Sequence, residues 1–576
     1  MSRILWGVGL SDTPETEAVN TPVAPDSAPE QRATTAGSGR RRLLWAGALI
    51  VAAAGLYLAF LPISRTYTVN SDGAGIALQG WDMLHGNLLL RGWWTADVSF
   101  YTFETPVDAL VEAIRGLGPN VVHITAAVAY TLLVLMAAMT ARGTTRGGAG
   151  VVAAVTAGAI LLAPGDIMST SILLGSPDHI GVGVVILLTF WFVDRAPERW
   201  WVAPVVCVLL LWAQLDDPMA EFAAAFALAV VCLGRAALGL LGRRGWAAIR
   251  HDTALGAASI VSYGLTRLAI FLIRSAGGFS MRQLSQATKV QPLSAWPGQL
   301  MNAGRDVLIL FGADFYDEPN PWVRATTYLH LIGVALALAG LVAGVVAIFR
   351  WTRGDRITQV LTVGTLVTLV AGAFLTPLTA GYSAHEIAVV LPFGAVLAGR
   401  AAGPWLMRHR VRRGTLIPVG IGLAAACMAS LGYFASQPPL KPPTRVTTLD
   451  PWLLAHHLTG GIGQYWTGND SRIESGDRVR IAATDPLPGH PYAWVMKPAW
   501  YDPSRNRANF VVAGTDPAAG LVFSESAVRK AFGKPAREYR FGTGQNRFII
   551  MVYDRNLLRD VAKPVQPSPD TGGLHL

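Results

Sequence analysis

Residues 40–62 read RRRLLWAGALIVAAAGLYLAFLP. Three arginines lead into an uncharged run, Leu43 to Leu61, which Pro62 closes. About twenty apolar residues in helical form cross the ~30 Å hydrocarbon core of a bilayer. A secretory leader has a similar arginine-then-apolar look, but it starts near residue 1 and ends in a small-residue cleavage site. This run therefore reads as a retained first span, with the chain before it on the inner side. Further apolar runs fall near 119–141, 149–164, 180–194, 201–216, 219–240, 253–274, 325–349, 357–376, 386–402 and 414–435. Counted with the first, they give about eleven spans, the ones near 149–216 being short for a full crossing.

The basic residues test that count. Arg142/Arg146, Arg195/Arg199, Arg243/Arg244/Arg250, Arg350/Arg353/Arg356 and Arg408/Arg410/Arg412/Arg413 all fall on the side of Arg40–Arg42. The positive-inside rule makes that side cytoplasmic. Composition agrees: the chain is 52% hydrophobic and only 15% charged, with a mean hydropathy of +0.39, too apolar for a soluble globular chain. The net charge of +10 is carried largely by the loop arginines, so it needs no nucleic-acid partner. Cys207, Cys232 and Cys427 all lie inside apolar runs, which argues against a disulfide framework or a cysteine metal site. The expected fold class is an α-helical polytopic membrane protein of the plasma membrane, with the N-terminus cytoplasmic and the C-terminus extracytoplasmic.

Three large pieces then face outward: 63–118, 275–324 and 436–576. Residues 1–39, rich in Thr, Pro, Ala, Ser and Glu, read as a disordered cytoplasmic tail, and 40–435 as the membrane module. A stiff proline-rich link, Gln437-Pro438-Pro439-Leu440-Lys441-Pro442-Pro443, opens the last piece. Strand patterns at 478–482, 509–512, 521–523, 538–541 and 547–553, with helical patterns at 451–458 and 525–532, predict a C-terminal extracytoplasmic α/β domain.

The chemistry-bearing stretch is Asn70-Ser71-Asp72-Gly73-Ala74 and its continuation to Glu112. Asp72, Asp82, Asp97, Glu104, Asp108 and Glu112 sit there among Trp81, Trp93, Trp94, Phe100, Tyr101 and Phe103. Residues 74–90 are amphipathic enough to lie in the membrane interface, offering Ile76, Leu78, Trp81 and Leu84 to lipid. A carboxylate at Asp72, partly shielded from water, suits a base that accepts a proton from a hydroxyl. It equally suits the cap of a helix, since Ser-Asp-Gly is good capping chemistry. Glu104 reads as a helper acid or a solvated loop acid. Asp178 and His179 offer a carboxylate and an imidazole at an outer turn, or simply a helix N-cap. In Asp216-Asp217-Pro218, proline at a helix start explains the pattern without catalysis. Arg91, Arg282, Lys289 and Arg305 are candidates to grip a phosphate, or to contact lipid headgroups.

Other classes are disfavoured. The sequence has no GxxxxGK[ST] loop for an ATP-driven pump, and no HExxH, CxxC or nucleophile elbow. Few acids or bases lie within the apolar runs, which weighs against an ion-coupled transporter.

Several places in order resemble the GT-C type membrane glycosyltransferases. The closest likeness is to the bacterial family 39-like group of protein O-mannosyltransferase and lipid A aminoarabinose transferase relatives. Ser71-Asp72-Gly73-Ala74 sits where that group has an Asp-Glu pair at the start of the first outer loop. Trp81-Asp82-Met83-Leu84-His85-Gly86-Asn87, Leu110-Val111-Glu112 and Leu117-Gly118-Pro119 are similar to the rest of that loop. Ser176-Pro177-Asp178-His179 and Trp212 through Pro218 resemble later outer turns, and Leu391-Pro392-Phe393 a late span. Gly463-Gln464-Tyr465-Trp466 and Ile473-Glu474-Ser475-Gly476-Asp477-Arg478-Val479 resemble the opening of the outer domain.

The resemblance implies a sugar donor on polyprenyl phosphate, used at the outer face. It implies inverting attack by an acceptor hydroxyl, with Asp72 as base, Glu104 as helper and a basic residue steadying the departing phosphate. The implied partners are the lipid bilayer, the lipid-linked donor and a cell-envelope glycan, lipid or protein acceptor. No cofactor is specified, and nothing in the sequence spells a divalent metal site. The second acid of the pair is Gly73 here, so either another acid compensates or the activity has changed. The rival readings are a lipid or polymer transporter and a non-catalytic scaffold of the cell envelope.

Overall fold

The structure is a computed structural model that describes residues 30–162, 167–175, 179–281, 290–316, 320–350, 354–375, 383–409, 413–437, 449–485, 487–514, 522–541 and 548–564. By internal contacts the chain divides into two compact units, Met1–Ala54 and Gly55–Leu576. The first is the leading part of helix α1 (Glu30–Ser64), mostly exposed from Leu43 onward, as a lipid-facing apolar helix is. Helix α1 starts at Glu30, ten residues before the arginines; of the expected disordered tail, residues 1–29 lie outside the described residues.

The second unit is mostly helical. Among the described residues seven helices are long and apolar enough to cross a membrane: Leu43–Ser64, Asn120–Arg142, Glu221–Leu241, Trp246–Ser275, Pro321–Phe349, Arg356–Leu375 and Ala384–Arg408. Gly147–Leu162, Val202–Asp216 and Gly422–Ser436 are shorter apolar helices. The chain is a membrane protein, and each expected apolar run coincides with a helix.

Close approach is bought with small residues. A Cβ on Gly399 would sit 2.3 Å from the Ala153 carbonyl, and one on Gly403 2.5 Å from that of Ala149. One on Gly340 would meet the backbone of Leu397 and Ala398 at 2.5 Å. These glycines, Gly399 and Gly403 four apart on one helix and Gly340 on another, let backbones touch where apolar burial gives little drive between helices in lipid.

The basic clusters gather at one end of this bundle. Arg400 binds Asp194 at 2.7 Å, Asp355 at 2.6 Å and the Thr140 carbonyl, while Arg195 donates to the Gly143 carbonyl. Asp252 is shared by Arg235 and Arg356.

At the other end, residues 65–118 fold into helices α2 (Ser71–Leu84) and α3 (Glu104–Arg115), ahead of α4 (Asn120–Arg142). Helix α2 does not offer Ile76 and Leu78 to lipid, contrary to the amphipathic reading: they are 1% and 6% exposed. Leu78 packs with Trp93, Phe279 and Val495, and α3 crosses so close at Gly80 that a Cβ there would lie 2.9 Å from Ala109 N. Only its far end, at Leu84, is exposed.

The C-terminal region is a six-stranded sheet: β1 (Gly460–Gly463), β2 (Arg480–Ala483), β3 (Phe510–Gly514), β4 (Phe523–Ser524), β5 (Arg537–Phe541) and β6 (Phe548–Val552). The order is β2-β1-β3-β6-β5, with β4 on β3. Strand β1 is parallel to β2 and β3, and β6 is antiparallel to β3 and β5. Period-two alternation sends Phe510 and Val512 to one face with Leu453 and Ile481, and Val511 and Ala513 to the other with Val528 and Phe532.

The sheet region is stitched to residues 65–118. Trp94 and Met496 exchange backbone hydrogen bonds of 2.8 and 2.9 Å, and Thr95 N donates to Ser280 O. Asp82 collects Lys497 Nζ at 2.6 Å, Asn87 Nδ2 at 2.6 Å and Trp93 Nε1 at 2.9 Å. Burial works to raise the Asp82 carboxyl, but these donors outweigh it and hold it below the usual range.

Candidate functional site

Helix α2 begins with Asn70, whose side chain accepts from Gly73 N at 2.8 Å. The cap is therefore Asn70, and the capping reading of Asp72 falls away. Asp72 sits in the first turn of α2, half-buried, and its Oδ1 accepts from Tyr465 Oη at 2.5 Å and from Trp494 Nε1 at 3.2 Å. Both donors come from the sheet region. Tyr465 opens the helix that follows β1, and Ser71 Oγ anchors it by donating to the Tyr465 carbonyl at 2.6 Å. Gly75 completes the fit: a Cβ there would lie 2.3 Å from Val495.

Asp72 lines a cleft of about 150 Å3 at the loop end of the bundle. The polar lining is completed by Asp97, His179, Asp217, His385 and Glu386, and the apolar lining includes Ile76, Phe100, Met219 and Phe222. Phe222 lies in the first turn of the apolar helix Glu221–Leu241 and Met219 just before it, so one wall is continuous with that helix. His179 has left-handed backbone, φ 58°, a conformation rare for a non-glycine residue and common at working sites. Its Nδ1 lies 2.5 Å from Asp217 Oδ2, and Asp217 Oδ1 accepts from Met219 N at 2.8 Å. That pairing fixes the imidazole, which stacks on His385 with ring centroids 5.8 Å apart. His385 in turn lies 3.5 Å from Glu386. Burial, then the Glu386 charge, lifts the Asp97 carboxyl above its ordinary value, with His179 acting in the opposite sense.

Of the sequence candidates, Asp72 and His179 come together in this cleft. Glu104 does not line it. Glu104 is 0% exposed, and its Oε1 accepts from Gly181 N at 2.9 Å. Burial, then the Asp216 charge, pushes Glu104 well above the usual carboxyl range. Asp216 meanwhile accepts from Thr102 N at 3.0 Å and Phe103 N at 2.8 Å, which fastens the loop before α3 onto the helix Val202–Asp216. Arg91 is exposed in the turn beyond α2 and Arg305 is paired with Asp314 at 3.1 Å over the Tyr316 ring. Neither lines the cleft. Asp178, Arg282 and Lys289 lie outside the described residues. Among the described residues no group of three or more His, Cys, Asp or Glu is placed to hold a metal ion.

Sequence reasoning gave no role to Tyr465, Trp494, Asp97, Asp217, His385 or Glu386. The paired polar residues in short outward turns, Asp216-Asp217 and His385-Glu386, were a usable signal; for Trp494 there was none.

Behind the cleft, α3 buries Asp108 and Glu112, and Asp108 accepts from Thr125 Oγ1 at 2.5 Å. Burial raises Asp108 to about 7; burial, then the Asp108 charge, raises Glu112 to about 9. Both folded values exceed the unfolded ones, so the neutral forms favour the fold. That contribution is complete below the ordinary values of 3.8 and 4.5 and is lost as pH climbs from there through about 7 and about 9. Thermal midpoints of the detergent-solubilised protein should therefore fall between pH 5 and pH 9, and Glu112→Gln should flatten the fall. Identical slopes for the two proteins would refute this.

No protein-family model matches the sequence, and no curated protein is similar to it. Solved structures are. ArnT, the aminoarabinose transferase from Cupriavidus metallidurans, matches in its apo state at 14% identity and a TM-score of 0.51, over 91% of this chain and 100% of that one. The same protein bound to undecaprenyl phosphate matches at 13% identity and a TM-score of 0.50, over 88% and 97%. The oligosaccharyltransferase AglB from Archaeoglobus fulgidus, in complex with an inhibitory peptide and a dolichol-phosphate, matches at 12% identity and a TM-score of 0.45, over 89% and 75%. These neighbours are GT-C membrane glycosyltransferases, and the fold of this chain is similar to that of ArnT over nearly its whole length.

Proposed function

We propose that the protein transfers a sugar from a polyprenyl-phosphate donor to an acceptor hydroxyl, with Asp72 as the base. The observation that carries this reading is the setting of Asp72: a half-buried carboxylate, oriented by Tyr465 and Trp494, on the wall of a cleft that reaches a membrane helix. The ArnT fold, and the undecaprenyl phosphate bound by that neighbour, support the donor class.

In the proposed step the acceptor oxygen attacks the anomeric carbon and its proton passes to Asp72. The carbon–oxygen bond to phosphate breaks with inversion, and polyprenyl phosphate leaves with the bonding pair. His179 and His385 face the same cleft and are suited to donate hydrogen bonds to the phosphate as its charge grows. Asp217 fixes the first of these rings. Asp97, more readily protonated than an ordinary aspartate, supplies the second acid that Gly73 does not. No step is routed through a metal. The loops and the sheet region lie on the outer side in this reading, and the arginine-rich end of the bundle faces the cytoplasm.

The test is release of labelled sugar from a polyprenyl-phosphate donor by the purified protein, with and without candidate acceptors. Absence of both transfer and slow donor hydrolysis would favour the scaffold reading. Within the reaction, Tyr465→Phe removes one donor to Asp72 and should lower kcat about tenfold with KM nearly unchanged, in keeping with a hydrogen bond to a charged group. An unchanged kcat would show that Tyr465 does not position the base.

A further inference from the structure

A second cleft, of about 770 Å3, lies where β1 and β2 begin. It is at the opposite end of these strands from Tyr465 and Asp72. Five arginines line it, Arg472, Arg478, Arg480, Arg505 and Arg507, against one carboxylate, Asp477. The site is built rather than incidental. Asp477, in left-handed backbone at φ 59° after Gly476 at φ 62°, holds Arg472 at 2.9 Å and Arg480 at 2.8 Å. The Arg472 guanidinium is buried and lies 3.8 Å over the Trp500 ring, which fixes its plane. Arg505 lies 3.4 Å from Asp502. Arg478 and Arg507 are exposed, and among the described residues neither has a carboxylate partner.

Forked guanidinium groups match phosphate and carboxylate oxygens. Asp477 and Asp502 cannot neutralise five such groups, and the volume is that of a ligand cleft rather than of a single anion. A bilayer is the poorer occupant. Surfaces that insert into lipid present exposed aromatic or aliphatic side chains, whereas Leu454 and Trp500 are half-buried here and Leu558 is buried.

We propose that this cleft binds a soluble polyanionic chain, one carrying phosphate or carboxylate groups on successive units. The site is separate from the Asp72 cleft, and the proposal does not depend on the transferase reading.

The experiment uses the full-length protein in detergent, with long-chain inorganic polyphosphate and polygalacturonate as probes and neutral dextran as control. Vesicles of phosphatidylglycerol in phosphatidylcholine are tested beside them on the reconstituted protein. Wild type should bind at least one polyanion, more weakly as salt rises, and which one it binds assigns the anionic group. Arg478→Ala with Arg507→Ala should weaken binding about tenfold or more and reduce its salt dependence. Both residues are exposed, so thermal midpoint and donor turnover should stay at wild-type values. Equal binding by wild type and the double variant, binding of neither probe, or binding of anionic vesicles alone would each overturn the proposal. Loss of turnover in Asp72 variants with polyanion binding intact bears only on the other cleft.

Discussion

Asp72→Asn should lower sugar transfer about a thousandfold, the middle of the range for removing a general base. That is roughly 4 kcal/mol of transition-state stabilisation. The substitution is nearly isosteric, and an amide oxygen can still accept from Tyr465 and Trp494. The local hydrogen bonding and the cleft wall should therefore persist. What is lost is the capacity to take the acceptor's proton. The effect should fall on kcat and kcat/KM alike, because the interaction is made only as the proton moves. Binding of undecaprenyl phosphate, read as a rise in thermal midpoint with added lipid, should stay within a few-fold of wild type. A variant that turns over at near wild-type rate would remove Asp72 from the chemistry. A loss of lipid binding equal to the loss of rate would make it a binding residue instead.

How much of this was legible beforehand differs by level. The bundle was, because a run such as 43–61 has one low-energy state in lipid, with every backbone group satisfied inside the helix. The gathering of the arginine clusters follows from the same cause. The sheet region was legible in part. Strands β2, β3, β5 and β6 alternate in hydrophobicity as half-buried strands do, but β1 is Gly460-Gly461-Ile462-Gly463 and carries almost no strand propensity. It is a strand because the Phe510 ring lies on it: a Cβ on Gly461 would sit 2.3 Å from that ring. That is a tertiary cause, invisible in the four residues themselves. The helix after it, Tyr465-Trp466-Thr467-Gly468-Asn469-Asp470, was hidden by weak helix formers for the same reason.

The site followed the same division. Asp72 and His179 stood out because charged groups beside apolar runs are few. Tyr465 and Trp494 did not, since they reach Asp72 across separations of 393 and 422 residues. The amphipathic reading of α2 failed at Ile76 and Leu78 because a moment gives a face its direction but not its neighbour. The partner turned out to be protein: Val495, Trp93 and α3.

Glu104 should separate geometry from chemistry by the contrast between two substitutions. Glu104→Ala should destabilise the protein by about 1–3 kcal/mol, since it removes the acceptor of a buried backbone N–H. Gly181 N would be left buried without its acceptor, beside the Asp216 carboxyl. The loop that Asp216 holds through Thr102 and Phe103 runs back through Phe100, on the cleft wall, so activity should fall with stability. Glu104→Gln should do neither. A glutamine side-chain oxygen can still accept from Gly181 N, and the amide keeps the shape and neutrality of the un-ionised acid. Transfer by the Gln variant should therefore stay within about threefold of wild type, with a thermal midpoint close to wild type. A helper acid that gives up or takes a proton in each turnover would instead lose ~100-fold or more in the Gln variant. Its thermal midpoint would stay unchanged, and that outcome would return Glu104 to the reaction.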